Sequence, residues 1–91
     1  MEALRIDKWL WFARFFKSRS LAASVVEAGE VSLNGRPVAK PAQTVCPGDE
    51  LVFPTGPRLR RVAVVALGER RGPAPEAQAL YRELEAPVRE D

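Results

Sequence analysis

The sequence predicts an α+β fold, a helical hairpin packed on a small, mainly antiparallel sheet with a short C-terminal helix. Three observations carry this. Apolar residues follow a helical period up to Ala28 and then switch to strand alternation. Asn34-Gly35, flanked by Val31-Ser32-Leu33 and Arg36-Pro37-Val38, is a strong signal for a tight hairpin. Ala77, Leu80, Tyr81 and Leu84 then return to i, i+3, i+4, i+7 spacing.

The first helix is expected over Asp7 to Phe16, with Asp7 as its N-cap. At about 100° per residue, Trp9, Leu10, Phe12, Ala13, Phe15 and Phe16 fill one broad arc. Asp7, Lys8, Trp11 and Arg14 point the other way, so Trp11 is the aromatic set among charges. Ser18 should cap a second helix reaching about Ala28, with Leu21, Ala22, Val25 and Val26 on its apolar side. Gly29 stands where a left-handed C-terminal residue belongs. Only a residue or two is expected between the helices.

Pro37 in the return strand demands an edge position or a short strand. Gly48-Asp49 reads as a turn before the strand Glu50 to Phe53, and Pro54 to Pro57 as a loop. Arg58 to Leu67 reads as the longest strand. Pro75 suits the first turn of a last helix, which Pro87 should end. Residues 1–72 are read as the main domain and 73–91 as its C-terminal helix and acidic tail.

Ninety-one residues make one domain rather than two. The net charge is only +2, but it is unevenly spread. Residues 1–40 carry seven basic and four acidic side chains, and residues 41–72 carry five and three. Residues 73–91 carry two and five, so a basic body precedes an acidic tail. Such a body favours polyanions. There is no histidine and one cysteine, Cys46, so Ser/His and Cys/His nucleophile systems, an internal disulfide and a zinc site are all excluded. Cys46 is read as a small packed residue. No metal or cofactor is expected. Without a transmembrane-length apolar run or a signal-peptide core, the chain is expected to be cytoplasmic.

The sharpest candidate site is the start of the second helix. Lys17 and Arg19 flank Ser18, where free helix amides and the helix dipole favour a phosphate. Arg14 lies about one turn earlier and can join them. Arg5 and Lys8 straddle Asp7, with Asp7 structural and Arg5 a contact. Trp11 could stack on an unpaired base or ribose, or pack beneath the C-terminal helix or against a protein partner. Arg36 and Lys40 could extend the positive face. Arg58, Arg60, Arg61, Arg70 and Arg71 are read as mostly solvated. The alternative reading of the whole set is a capping serine among solvated cations.

These residues resemble a known family. Arg5-Ile6-Asp7-Lys8-Trp9-Leu10, Arg14, Lys17-Ser18-Arg19-Ser20-Leu21-Ala22, Gly29-Glu30-Val31, Asn34-Gly35, Lys40-Pro41 and Gly48-Asp49-Glu50-Leu51 are similar to the RNA-binding domain of bacterial ribosomal protein S-four, the alpha-L motif. The likeness covers about residues 4–53. Trp9-Leu10-Trp11 followed by Arg14-Phe15-Phe16-Lys17 resembles its heat shock protein fifteen branch. Glu76-Ala77 to Tyr81 resembles that branch and the short relatives in ribosome-associated quality control.

The resemblance implies a non-enzymatic protein that binds ribosomal RNA of the large ribosomal subunit and peptidyl-tRNA on stalled, split subunits. It implies RNA contacts at Arg5, Lys8, Arg14, Lys17 and Arg19, organised by Asp7. The chain is expected to act as a monomer. The heat shock branch carries a long basic C-terminal extension, whereas this chain stops at the acidic Arg89-Glu90-Asp91. That favours the quality-control relatives, while the tryptophan-rich first helix favours the heat shock branch. Two rival functions are an RNA-targeting module for a modifying enzyme such as a pseudouridine synthase, and a protein-interaction adaptor using Trp11 and Tyr81.

Overall fold

The structure, a computed structural model, describes residues 2–86. The order is β1 (Leu4–Arg5), α1 (Ile6–Phe12), α2 (Arg19–Glu27), β2 (Ser32–Leu33), β3 (Arg36–Pro37), β4 (Thr44–Val45), β5 (Glu50–Thr55), β6 (Arg58–Val64), α3 (Ala74–Gln78) and β7 (Tyr81–Leu84). The expected helical hairpin, antiparallel sheet and short C-terminal helix are all present.

The main sheet runs β3-β2-β5-β6-β7, every pairing antiparallel. Pro37 lies on its edge strand β3, where a missing amide costs no ladder bond. Asn34 at φ 51° and Gly35 at φ 85° make the tight turn between β2 and β3. The Asn34 side chain ties that turn to the next strand. Its Oδ1 accepts the Glu50 N–H at 2.8 Å, and its Nδ2 donates to Asp49 Oδ1 at 3.0 Å.

Several sequence expectations are corrected. The first helix begins at Ile6, with Arg5 in the cap position and no side-chain cap, so Asp7 sits inside the first turn. It ends at Phe12 rather than Phe16. Arg14 adopts φ 65°, a left-handed backbone that terminates a helix, and six residues rather than one or two separate α1 from α2. Phe15 and Phe16 leave the helix and pack on Phe53, with ring centroids 4.7 and 6.1 Å away. Their apolar spacing came from tertiary contact, which a helical wheel imitates.

Pro54 and Thr55 belong to β5, and the loop shrinks to Gly56-Pro57. β1 also pairs with β4 over two residues each, too short to leave a strand pattern in the sequence. The helix expected from Pro75 stops at Gln78. Tyr81–Leu84 instead pairs with Val64–Arg61 of β6 as an edge strand. Five helical residues give little local gain, whereas strand pairing joins an existing sheet. The expected stop at Pro87 and the tail after it lie outside the described residues.

The core joins the helices to the sheet through Ile6, Trp9, Leu10, Val26, Val31, Val45, Leu51, Phe53 and Val62, each at most 1% exposed. Cys46 is partly buried and unpaired. None of the helices among the described residues is long and apolar enough to cross a membrane. Trp9 fastens α1 to the chain after β6, donating from Nε1 to the Ala66 carbonyl at 2.8 Å. Trp9→Phe removes that donor and leaves unfilled volume, and should cost about 2–4 kcal/mol. Urea unfolding followed by circular dichroism checks this; an unchanged midpoint would show that the bond contributes nothing net.

Candidate nucleic-acid interface

Asp7 is the only charged residue among the buried ones described, at 3% exposure. Its position in the first turn of α1 suits a negative charge, because the helix dipole is positive there. Arg5 arrives from β1 and engages it through two bonds. Nε donates to Oδ1 and Nη2 to Oδ2, each at 3.1 Å. Arg19, at the start of α2, brings Nε to 3.5 Å from Oδ2. The Lys8 amide donates to Oδ1 at 2.7 Å. Asp7 thus gathers two arginines from separate elements. Both guanidinium side chains stay substantially exposed, at 47% and 42%. Each has donors to offer outward while its orientation is held from below.

Ser18 caps α2 as expected, its Oγ accepting the Leu21 N–H at 3.1 Å. Lys17 and Ser18 are exposed, and Arg19 is partly exposed, so cations surround the free end of α2. Arg19 joins this helix start to Asp7, hence to Arg5. Lys8 is partly exposed, its Nζ 5.6 Å from the Phe12 ring centre.

The loop carrying Lys40 is drawn to the same end of α1. The Ile6 N–H donates to the Gln43 carbonyl at 2.7 Å, and the Asp7 N–H reaches the Pro41 carbonyl at 3.5 Å. Lys40, next to Pro41, therefore lies beside the helix start. Arg36 is exposed on β3, at the hairpin end, and no hydrogen bond or ion pair ties it to the others.

Arg14 is turned elsewhere. Its backbone φ of 65° directs the side chain toward the loop after β6, where Nε donates to the Gly72 carbonyl at 2.5 Å. Trp11 is partly buried against the core, with the Arg71 guanidinium 5.6 Å from its ring centre.

Four of the five arginines read as mostly solvated have specific partners. Arg60 pairs with Glu83 and lies 4.8 Å from the Phe15 ring centre. The Glu83 hydrogen bond holds its guanidinium above the usual pKa, outweighing the opposing effect of burial. Arg61 pairs with Glu50 at 2.5 Å, and Arg70 with Glu76 at 3.1 Å. Arg71 donates to the Trp11 carbonyl at 3.1 Å and the Phe16 carbonyl at 3.4 Å. No local pattern announces these bonds, since Arg71 finds its partners 55 to 60 residues away in sequence. Of the five, only Arg58 makes no side-chain hydrogen bond or ion pair among the described residues.

The arrangement offers oriented donors and free positive charge around two helix starts, which suits binding of an anionic backbone. Among the described residues no group of three or more His, Cys, Asp or Glu could hold a metal ion.

Asp7→Asn keeps the volume but removes the charge facing two arginines. It should cost about 1–3 kcal/mol, toward the lower end because both arginines are solvent-screened. Denaturant titration reads this, and an unchanged stability would mean that solvation replaces the ion pairs fully.

Comparison with known proteins agrees with the fold. Residues 4–51 match the S4 domain. The chain is 42% identical over 86 residues to the heat shock protein 15 homolog of Haemophilus influenzae, covering 94% of this chain and 65% of that one. It is 39% identical over 66 residues to the RQC P-site tRNA stabilizing factor of Listeria innocua, covering 72% and 71% of the two chains. The trimeric structure of Vibrio cholerae heat shock protein 15 superposes with a TM-score of 0.85 at 44% identity, over 91% of this chain and 83% of that one. The chain spans between 59% and 65% of the length of the curated heat shock relatives it matches.

Proposed function

We propose that this chain, which belongs to the S4 domain family, is a non-enzymatic RNA-binding protein of the large ribosomal subunit. Its RNA would be ribosomal RNA and, on stalled and split subunits, peptidyl-tRNA. The observation that carries this reading is the Asp7 cluster. A buried carboxylate holds Arg5 and Arg19 in place while leaving both exposed beside Lys8, Lys17 and the capped start of α2. Rigid guanidinium groups suit phosphate oxygens, because their paired donors match the oxygen spacing. Structured RNA is read largely by shape and backbone, which needs positioned cations rather than a pocket.

The proposed contacts are Arg5, Lys8, Lys17, Ser18 and Arg19, extended by Lys40 beside the start of α1 and by Arg36 on the hairpin. Trp11, partly exposed and already under the Arg71 guanidinium, is the proposed stacking position for a base. The tRNA part of the reading leans on the name of the Listeria relative, which is a P-site tRNA stabilizing factor. Subunit recycling and support of nascent-chain tailing both fit such a binder. The similarity to the heat shock proteins and to the tRNA-stabilizing factors supports one each.

Co-sedimentation with large ribosomal subunits, with and without peptidyl-tRNA and at two salt concentrations, tests the proposal. Pelleting should weaken with salt and favour subunits bearing peptidyl-tRNA. Equal pelleting on both would remove the tRNA partner, and no pelleting would remove the ribosomal reading altogether. Lys17→Gln should weaken binding and lower the slope of log affinity against log salt by about one unit, with stability unchanged. Lys17 makes no hydrogen bond or ion pair among the described residues, so an unaltered slope would exclude it as a phosphate contact.

A further inference from the structure

We infer that Arg71, together with Arg14, is a positioning device for the proposed phosphate seat at the start of α2, rather than part of the RNA-contacting surface. The inference rests on the reading of that seat as an RNA contact.

Two arginines cross between the same two segments in opposite directions. Arg14, in the connection from α1 to α2, donates from Nε to the Gly72 carbonyl at 2.5 Å. Arg71, from the loop after β6, donates from Nε to the Trp11 carbonyl at 3.1 Å and from Nη2 to the Phe16 carbonyl at 3.4 Å. The Trp11 carbonyl lies in the last turn of α1 and the Phe16 carbonyl within the connection, and Phe16 is followed directly by Lys17-Ser18-Arg19. Arg71 therefore holds the stretch through which the chain turns from one helix into the other.

That stretch is packed on the sheet through Phe15 and Phe16, and Arg71 adds a polar attachment to its backbone. Its path depends on Arg14 at φ 65°, a conformation that disfavours any residue with a Cβ and stays populated only where its surroundings fix it. Inside the connection, the Arg14 N–H donates to Trp11 at 3.0 Å and the Phe15 N–H to Leu10 at 3.2 Å. A cation near the C-terminal carbonyls of α1 is also favoured by the helix dipole. The Arg71 guanidinium lies 5.6 Å from the Trp11 ring centre, which adds a third attachment. Gly72 is buried while Arg14 is exposed, so this bond is partly shielded from water.

The brace comes from outside the residues that match the S4 domain, which end at 51. The segment after β6 thus acts on the RNA face without belonging to it. It is itself fastened at Trp9, through Ala66, and at Leu80, whose carbonyl accepts the Val65 and Ala66 N–H groups at 2.8 and 3.1 Å. Deformation of this loop would move Lys17, Ser18 and Arg19 together relative to Arg5 and Asp7.

Two variants and two readouts test the inference. Arg71→Gln removes the charge and the ring contact. Arg71→Lys keeps the charge but loses the two-carbonyl fork. Both should weaken binding to large ribosomal subunits by about three- to tenfold, while the salt slope remains that of the parent, because no phosphate contact is lost. Amide hydrogen exchange at Phe15 and Leu21 should accelerate in both variants, and this is read on the free protein. A slope that falls by about one unit would make Arg71 a phosphate contact and overturn the inference. Unchanged affinity with a lowered melting temperature would reduce Arg71 to a stabilising residue, and unchanged exchange would show that no brace exists; either overturns it. If the parent protein itself fails to bind, the RNA reading falls and the positioning role with it, whereas the exchange result still reports whether Arg71 braces the connection.

Discussion

The buried carboxylate of Asp7 is the constraint on which the candidate site depends. A charge taken from water must be matched by opposite charge and hydrogen bonds, or the fold loses stability. Asp7 is matched by Arg5, by Arg19 and by the Lys8 amide. The requirement to satisfy one carboxylate thereby sets the mutual position of β1, the start of α1 and the start of α2. The same requirement makes the arginines useful, because each is anchored at one side and open at the other.

The cations of this chain divide into two groups by partner. Arg60, Arg61 and Arg70 are matched by Glu83, Glu50 and Glu76, and Arg71 by backbone carbonyls and a ring. These tie sheet strands and loops together and have little charge to offer an RNA. Lys17, Arg36 and Lys40 are exposed without such partners among the described residues, and Arg5 and Arg19 share one carboxylate between them. A net charge of +2 therefore understates the local positive character of the helical face. The steering that a basic surface provides depends on this local imbalance.

The sheet acts as the platform for that face. Phe15 and Phe16 leave the helical region to pack on Phe53 of β5, and Arg60 of β6 lies over the Phe15 ring. Trp9 and Arg71 fasten the other side of α1 to the chain that follows β6. A domain of this size has few buried residues to spare, so contacts between distant segments must supply the rigidity that a larger core would give.

The sequence by itself determined the local features. Asn34-Gly35 dictated its turn because two consecutive residues must take positive φ. Ser18 dictated the start of α2 because its hydroxyl accepts a free amide, and Pro37 dictated an edge strand because it lacks one. The family was legible for the same reason, since its motifs lie close together in the chain. Tertiary structure decided what depends on distant partners. The apolar spacing of Phe15 and Phe16 suits a helix, yet Phe53 and the left-handed Arg14 ended α1 at Phe12. Tyr81 and Leu84 carry helical spacing, yet the open edge of β6 drew them into a strand. Arg14 reads as a phosphate contact, and Arg60 and Arg71 as solvated cations, because carbonyls, carboxylates and rings far along the chain leave no mark near them. Local conformational preference is written in neighbouring residues, whereas the direction of a long charged side chain is settled only by what folding brings within its reach.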